Sequence, residues 1–383
     1  MHTPRRRAAT IAAIVTATAG LLAGSAILAG AADAAPNTFI GNLNTVTPIA
    51  STIPGNGDVN PYGVAVVPRS VGYLHQGNVL VSNFNDSSNT QGTGTTIVQV
   101  NPSSGDVSQF AGISDPACPG GVGLTTALVV LRNGWVIVGS LPTRTDSSGN
   151  VLVSGSGCLI VLDSQGQVKE TISHHGINGP WDMTALDLGN ITELFVTNVL
   201  NGTVAAGGNT VDQGTVLRLL ISSGPAGPPQ LLGVTQIGSG FAETLNSSAL
   251  VIGPTGVGLG PNGTLYVADT LNSRIAAIPN AAVRLTDDGT GQTVAEGSPL
   301  NGELGLAIAP NDDILTVNGG DGNLVETTPG GAQVVKTIDD QGSPPGAGNL
   351  FGLAVKPGAD AVYFVDDFGG PPFTQSNNLN LFH

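Results

Sequence analysis

An all-β, six-bladed β-propeller is what the sequence predicts, and three observations predict it. Six apolar segments, rich in β-branched and aromatic residues, each end on a polar residue: Gly77–Asn83, Gly134–Ser140, Glu193–Asn198, Thr264–Asp269, Asp313–Asn318 and Ala361–Asp366. Each is preceded by a second short apolar element: Pro61–Pro68, Ala127–Leu131, Asp182–Ala185, Gly256–Pro261, Gly305–Pro310 and Gly352–Pro357. No long helical periodicity follows the first 34 residues, and the 56 glycines suit a fold made of tight turns. A two-strand signature repeated six times means radial repetition rather than one mixed core.

In chain order, residues 1–34 are expected to be a cleaved signal peptide. Arg5, Arg6 and Arg7 form a basic start, an almost uncharged run spans Ala8–Gly30, and Ala32-Asp33-Ala34 places cleavage before Ala35. Residues 35–383 then form one propeller. Removing Arg5, Arg6, Arg7 and Asp33 from the 12 basic and 27 acidic residues leaves 9 and 26, a net charge of −17. That charge argues against nucleic acid and against anionic membranes as partners. A secreted, extracellular protein with no membrane association after cleavage, acting as a monomer, is the expectation.

The first blade reads as inner strand Gly63–Val67, second strand Asn78–Ser82, third strand Thr95–Val100 and outer strand Val107–Ala111, with a Pro/Gly turn over Asn101–Asp106. Taking Gly63, Ala127, Asp182, Gly256, Gly305 and Gly352 as register marks places successive blades 47 to 74 residues apart. The sixth blade lacks a strand: only Asn378–Phe382 follows Ala361–Val365. A segment around Thr45–Thr52 is expected to supply the missing one and so remove an exposed sheet edge. Leu141–Gly157, Leu200–Gly214, Ser222–Ser248 and Arg284–Ser298 read as insertions that cover the surface. Cys118 and Cys158, 40 residues apart, are expected to bond outside the cytosol, stabilising by roughly 3–4 kcal/mol. Two buried free thiols are the alternative.

Leu265-Tyr-Val-Ala-Asp-Thr-Leu-Asn-Ser-Arg-Ile275, within Pro254–Ile275, resembles the run that marks NHL-repeat six-bladed propellers, and the other blades share it in part. Gluconolactonase-like and paraoxonase-like lactonases, which share the propeller, hold a divalent cation with Glu, Asn and Asp near the inner-strand entrances. Carried onto this chain, those positions fall on Tyr62, Thr126, Trp181, Thr255, Leu304 and Phe351, none of which is a carboxylate or amide. Pro61-Tyr62-Gly63-Val64-Ala65 is similar to a segment of the streptogramin-inactivating lyases, whose His base and two Glu metal ligands have no counterpart here. The several His ligands of peptidyl-hydroxyglycine lyases are not matched by His75, His174, His175 and His383.

Tyr62, Trp181 and Phe351, with Asn60, Asn178, Asn301, Glu303 and Asn349 close by, are the candidate ligand-binding residues. They line either a funnel for a small molecule, a carbohydrate or a protein ligand, or a plug that fills the channel. For chemistry the candidates are His175 as general base and Asp182 to orient it or hold a metal. Asp182 and Glu303 admit a divalent cation such as Ca²⁺; the metal ligands themselves are not fixed by the sequence. Asn318-Gly-Gly-Asp321-Gly-Asn323 has alternating oxygen donors but lacks a terminal Glu. The repeated Asn83, Ser140, Asn198, Asp269, Asn318 and Asp366 are expected to bond the backbone of the turn that follows each. The leading functional expectation is an extracellular ligand- or protein-binding module without turnover. The alternatives are a metal-assisted lyase or lactone hydrolase and a purely structural protein.

Overall fold

The computed structural model describes residues 38–141, 143–145, 151–153, 156–224, 227–246, 249–368 and 376–383. The expected signal peptide lies outside them. Six antiparallel sheets follow one another along the chain. The first blade runs Val59–Val66, Val79–Asn85, Thr96–Val100 and Val107–Gly112 from inner to outer strand. Inner strands of the next five begin at Leu124, Pro180, Pro254, Glu303 and Leu350. Each inner strand ends its sheet and contacts the inner strands of its neighbours, closing a ring of six.

The closure is the expected one. Val46–Ser51 pairs with Asn378–Phe382 as the outermost strand of the sixth blade, with Val46 opposite Phe382 and Ser51 opposite Asn378. His383 and Thr45 exchange backbone hydrogen bonds just beyond it. The segment before that strand is also fixed, because the Glu326 carboxylate accepts the amides of Phe39 and Ile40 at 2.7 and 2.8 Å. Both ends of the described propeller are thus stitched to blades, and the edge of Asn378–Phe382 is covered.

All six inner strands are interrupted at one equivalent place, immediately around the register marks: the pairing shifts between Pro61 and Val64, Leu124 and Leu128, Pro180 and Met183, Pro254 and Val257, Glu303 and Leu306, and Leu350 and Leu353. These bulges press each strand against the next blade. A Cβ on Gly352 would sit 2.0 Å from the Tyr62 carbonyl oxygen, and one on Gly305 would sit 2.2 Å from that of Phe351. Close approach of neighbouring backbones is why glycine stands at four of the six marks. Hydroxyls complete the ring: Ser82 accepts from the Gly63 amide and donates to the Thr125 carbonyl, and Thr197 donates to the Thr255 carbonyl at 2.5 Å.

The insertions carry more order than their composition suggests. Ser222–Ser248 contains the whole of a 17-residue fourth strand, Gln230–Asn246, which pairs with Val211–Ser222 and then with a short fifth strand, Leu250–Ile252. Four register shifts along this hairpin let Gly-rich sequence stay in the ladder. Leu141–Gly157 holds a small hairpin, Thr143–Thr145 with Val151–Val153, and Arg284–Ser298 contains the outer strand of the fourth blade, Gln292–Glu296. Cys118 and Cys158 are bonded, with 5.6 Å between their Cα atoms, and are buried in the core between the first two blades.

Candidate functional site

The bulge geometry decides what happens at the centre of the upper face, where the inner strands begin. Residues just before the marks turn inward. Tyr62 stacks on Phe84 with ring centroids 4.4 Å apart and on Phe351 at 4.2 Å, while Trp181 lies tilted at 6.2 Å. Leu304, Val199 and Val251 join the same buried cluster, and the Trp181 indole donates to the Val251 carbonyl at 3.0 Å. Tyr62, Trp181 and Phe351 are each at most 2 % exposed. The aromatics therefore cover one another, and a plug stands where an open funnel was one of the two expectations. Mutual stacking removes more apolar surface from water than a solvated ring of aromatics would.

The four asparagines serve the strands around that plug. Asn60 donates its amide to the side chain of Asn377. Asn178 and Gly179 donate backbone amides to Asn198, and the Asn178 side chain donates to Asn201. Asn301 donates to Asp321 at 2.9 Å, and Asn349 to Asp339 at 2.7 Å. The polar residues that end the second strands correct the expectation made for them. Asn83, Ser140, Asn198 and Asn318 clasp the segment leading into their own blade, through Thr52, Gly121 with Gly123, Gly176 with Asn178 and Gly179, and Pro299. Among the described residues only Asp366, which accepts the Phe368 amide, bonds the backbone of the turn that follows; Asp269 holds the side chains of Asn272 and Arg274, and Asn198 and Asn318 also reach forward to the side chains of Asn201 and Asp321. Antiparallel pairing brings the end of a second strand beside the start of its inner strand, which puts the segment leading into the blade within reach. Asp321 likewise accepts from Asn301, Asn318 and the Asn323 amide, so the alternating oxygens of that loop bond one another.

His175 and Asp182 do not form the expected pair. His174 and His175 occupy an exposed turn with φ values of 65° and 52°, closed by the pairing of His174 with Ile177. Asp182 is buried beneath Trp181, where its carboxylate accepts the amides of Met183 at 2.8 Å and Val257 at 3.1 Å. It stands at a mark where four blades have glycine, and its side chain ties the third blade to the fourth. Burial pushes its pKa up to about 8, against the pull of those two amides. Glu303 is also fully buried, with neither carboxyl oxygen in a well-formed hydrogen bond. Burial pushes it to about 9; its own amide and that of Arg274 oppose the rise, and the charge of Asp269 adds to it. Asp269 is paired with Arg274 at 2.8 Å. Among the described residues no three His, Cys, Asp or Glu side chains gather closely enough to hold a metal ion. A cation at Asp182 or Glu303 would therefore have to take backbone or amide oxygens for most of its ligands.

Open space lies elsewhere. A cleft of about 390 Å³ on the upper face is lined by Asn301, Leu304 and Phe351 together with Thr270, Ser273 and Gly320; of the expected ligand residues it gathers Asn301 and the edge of Phe351. Across the 246–252 segment lies a larger groove of about 580 Å³. The insertions build it: Arg144, Leu152 and Val153 from the second blade, Val204, Gly207 and Gly208 from the third, Leu245 and Leu250 from its extended hairpin, and Gln91 from the first. Leu152, Val204 and Leu245 are 37 %, 58 % and 42 % exposed. Sequence reading missed this groove because its walls come from three separate insertions. Their one shared signal was isolated Leu and Val within Gly/Ser-rich segments.

No family model matches the chain, and no curated protein matches it in sequence. Among solved structures it is similar to the calcium-binding protein regucalcin of Agrobacterium tumefaciens, at 13% identity over 89% of this chain and 95% of that one, with a TM-score of 0.51. The PQQ-bound aldose sugar dehydrogenase of Streptomyces coelicolor is similar at 14% identity over 88% and 97%, with a TM-score of 0.50. A virginiamycin B lyase of Staphylococcus aureus matches at 14% identity over 84% and 82%, with a TM-score of 0.47. At such identities the likeness is one of fold, and the regucalcin and the aldose sugar dehydrogenase carry it. The likeness to NHL repeats rests on the residues of Leu265–Ile275.

Proposed function

We propose that this chain is a secreted, ligand-binding propeller without turnover, taking a small apolar ligand in the groove between its blade-two and blade-three insertions. The observation that carries this reading is the exposure of Leu152, Val204 and Leu245 around one concavity whose volume suits a ligand of drug size. Arg144, the one charged side chain among the described residues of the lining, favours an acidic group on that ligand. The disulfide and the signal-like N-terminus support an extracellular site of action. Anilinonaphthalene sulfonate, apolar with one anionic group, is the probe. It is expected to bind once per chain, and Leu245→Asp or Val204→Asp should weaken it at least tenfold while leaving the melting temperature within a few degrees. Equal binding by the variants would remove the groove from consideration.

A metal-assisted lyase or lactone hydrolase on the upper face is the second reading, favoured by one feature, the buried and unpartnered Glu303 beside Asp269. It predicts that added Ca²⁺ raises the melting temperature and that Glu303→Gln abolishes the rise. The groove reading predicts no Ca²⁺ effect that depends on Glu303.

A further inference from the structure

We propose that the central channel, opening on the face opposite the plug, is a second binding site, for a small protonated amine held on Asp182. The channel is a space of about 390 Å³ walled by the inner strands. Each inner strand pairs on one side only, so its other edge presents backbone amides and carbonyls to the space. Tyr62, Trp181, Leu304 and Phe351 fill the upper end, and the lining begins beside the marks, at Thr126 in the second blade and at or just after the mark in the others, and runs to the strand ends at Val130, Leu259, Ile308 and Val355. The space is therefore blind at one end and open at the other.

Asp182 stands at the blind end. The equivalent positions of the other blades are Gly63, Ala127, Gly256, Gly305 and Gly352, so Asp182 alone brings a carboxylate to this level, set between the third and fourth inner strands on the Val257 amide and bordering the space. Among the described residues that line the channel, Asp182 is the sole titratable side chain. Two backbone amides, from Met183 and Val257, fix its position and use one lone pair on each oxygen, so further acceptor capacity remains. A carboxylate desolvated against strand edges gains most from a partner that brings positive charge and several N–H donors. A primary ammonium does both, sharing its protons between Asp182 and the carbonyls of the walls. A neutral molecule of the same size supplies no charge. The raised pKa of Asp182 means that an arriving ammonium displaces the proton held there near neutral pH.

The test is calorimetric titration of the whole protein with propylammonium, and with propan-1-ol as its uncharged counterpart, in two buffers of different ionisation heat. Propylammonium is expected to bind once per chain with proton release, propan-1-ol not at all, and Asp182→Asn to weaken the amine at least tenfold. Ala354→Phe, which fills the channel further down without touching Asp182, is expected to remove binding as well, and it decides the matter should Asp182→Asn fail to fold. No saturable binding of the amine, equal binding of the alcohol, or binding unchanged in either variant would overturn the proposal. The groove is untouched by these variants, so anilinonaphthalene sulfonate should bind them as it binds the wild type.

Discussion

The two ends of the central channel are made by the same six strands and differ completely. At the upper end Tyr62, Trp181, Leu304 and Phe351 turn inward and fill it; at the lower end the walls are strand edges around an open space. The change occurs over one residue, at the bulge, where the register marks are mostly glycine because neighbouring backbones touch. A propeller of this kind closes its axis with side chains at one level and leaves it open at the next. Open space on this face is thereby displaced from the axis to the rim, where insertions of the second and third blades supply most of the walls.

Breaking the filled end should have the largest effect. Trp181→Ala empties a fully buried position and removes the indole hydrogen bond to Val251; a loss of about 3–5 kcal/mol is expected from denaturant unfolding. The ring between the two ends comes next. In Gly352→Ala the new methyl meets the Tyr62 carbonyl, and the inner strands must part; about 1–3 kcal/mol is expected in the same assay.

The buried carboxyl of Glu303 separates the plug from its surroundings by pH. Its folded pKa, about 9, lies above the value of 4.5 for a free glutamate, so its protonated form contributes stability fully below about pH 4.5. That contribution is lost as pH rises toward about 9, by up to about 1.4 kcal/mol per unit. Glu303→Gln, which keeps the shape and removes the titration, should gain on the wild type across pH 5–9 in thermal melts. A constant difference between the two would mean that the carboxyl reaches water or a counter-charge. The mildest change sharpens the plug itself: the buried Tyr62 hydroxyl has only Asn60 beside it and makes no well-formed hydrogen bond, so Tyr62→Phe should alter stability by less than about 1 kcal/mol.

What could be read from the sequence follows the range of the interactions involved. The blade count, the four strands of the first blade and the closing strand near residues 45–52 were legible, because alternation and turn residues are local signals. The disulfide was legible as the pairing of the chain's two cysteines. The choice between funnel and plug was not, since it depends on which way Tyr62, Trp181 and Phe351 lean at a bulge, and one residue of register reverses that. The pairing of His175 with Asp182 failed for the same reason: seven residues apart along the chain, one ends in a solvent-facing turn and the other beneath Trp181. The long strand Gln230–Asn246 was read as an insertion because its glycines, which accommodate bulges in the ladder, look like loop in a linear reading.

The most direct test of the closed upper end uses the two tryptophans of the chain. Trp135→Phe leaves Trp181 as the single emitter, and its fluorescence is read with acrylamide as quencher. A blue-shifted spectrum that acrylamide barely touches is the result expected of a ring packed against Tyr62 and 2 % exposed. A red-shifted emission quenched like free indole would show an open funnel and contradict the account.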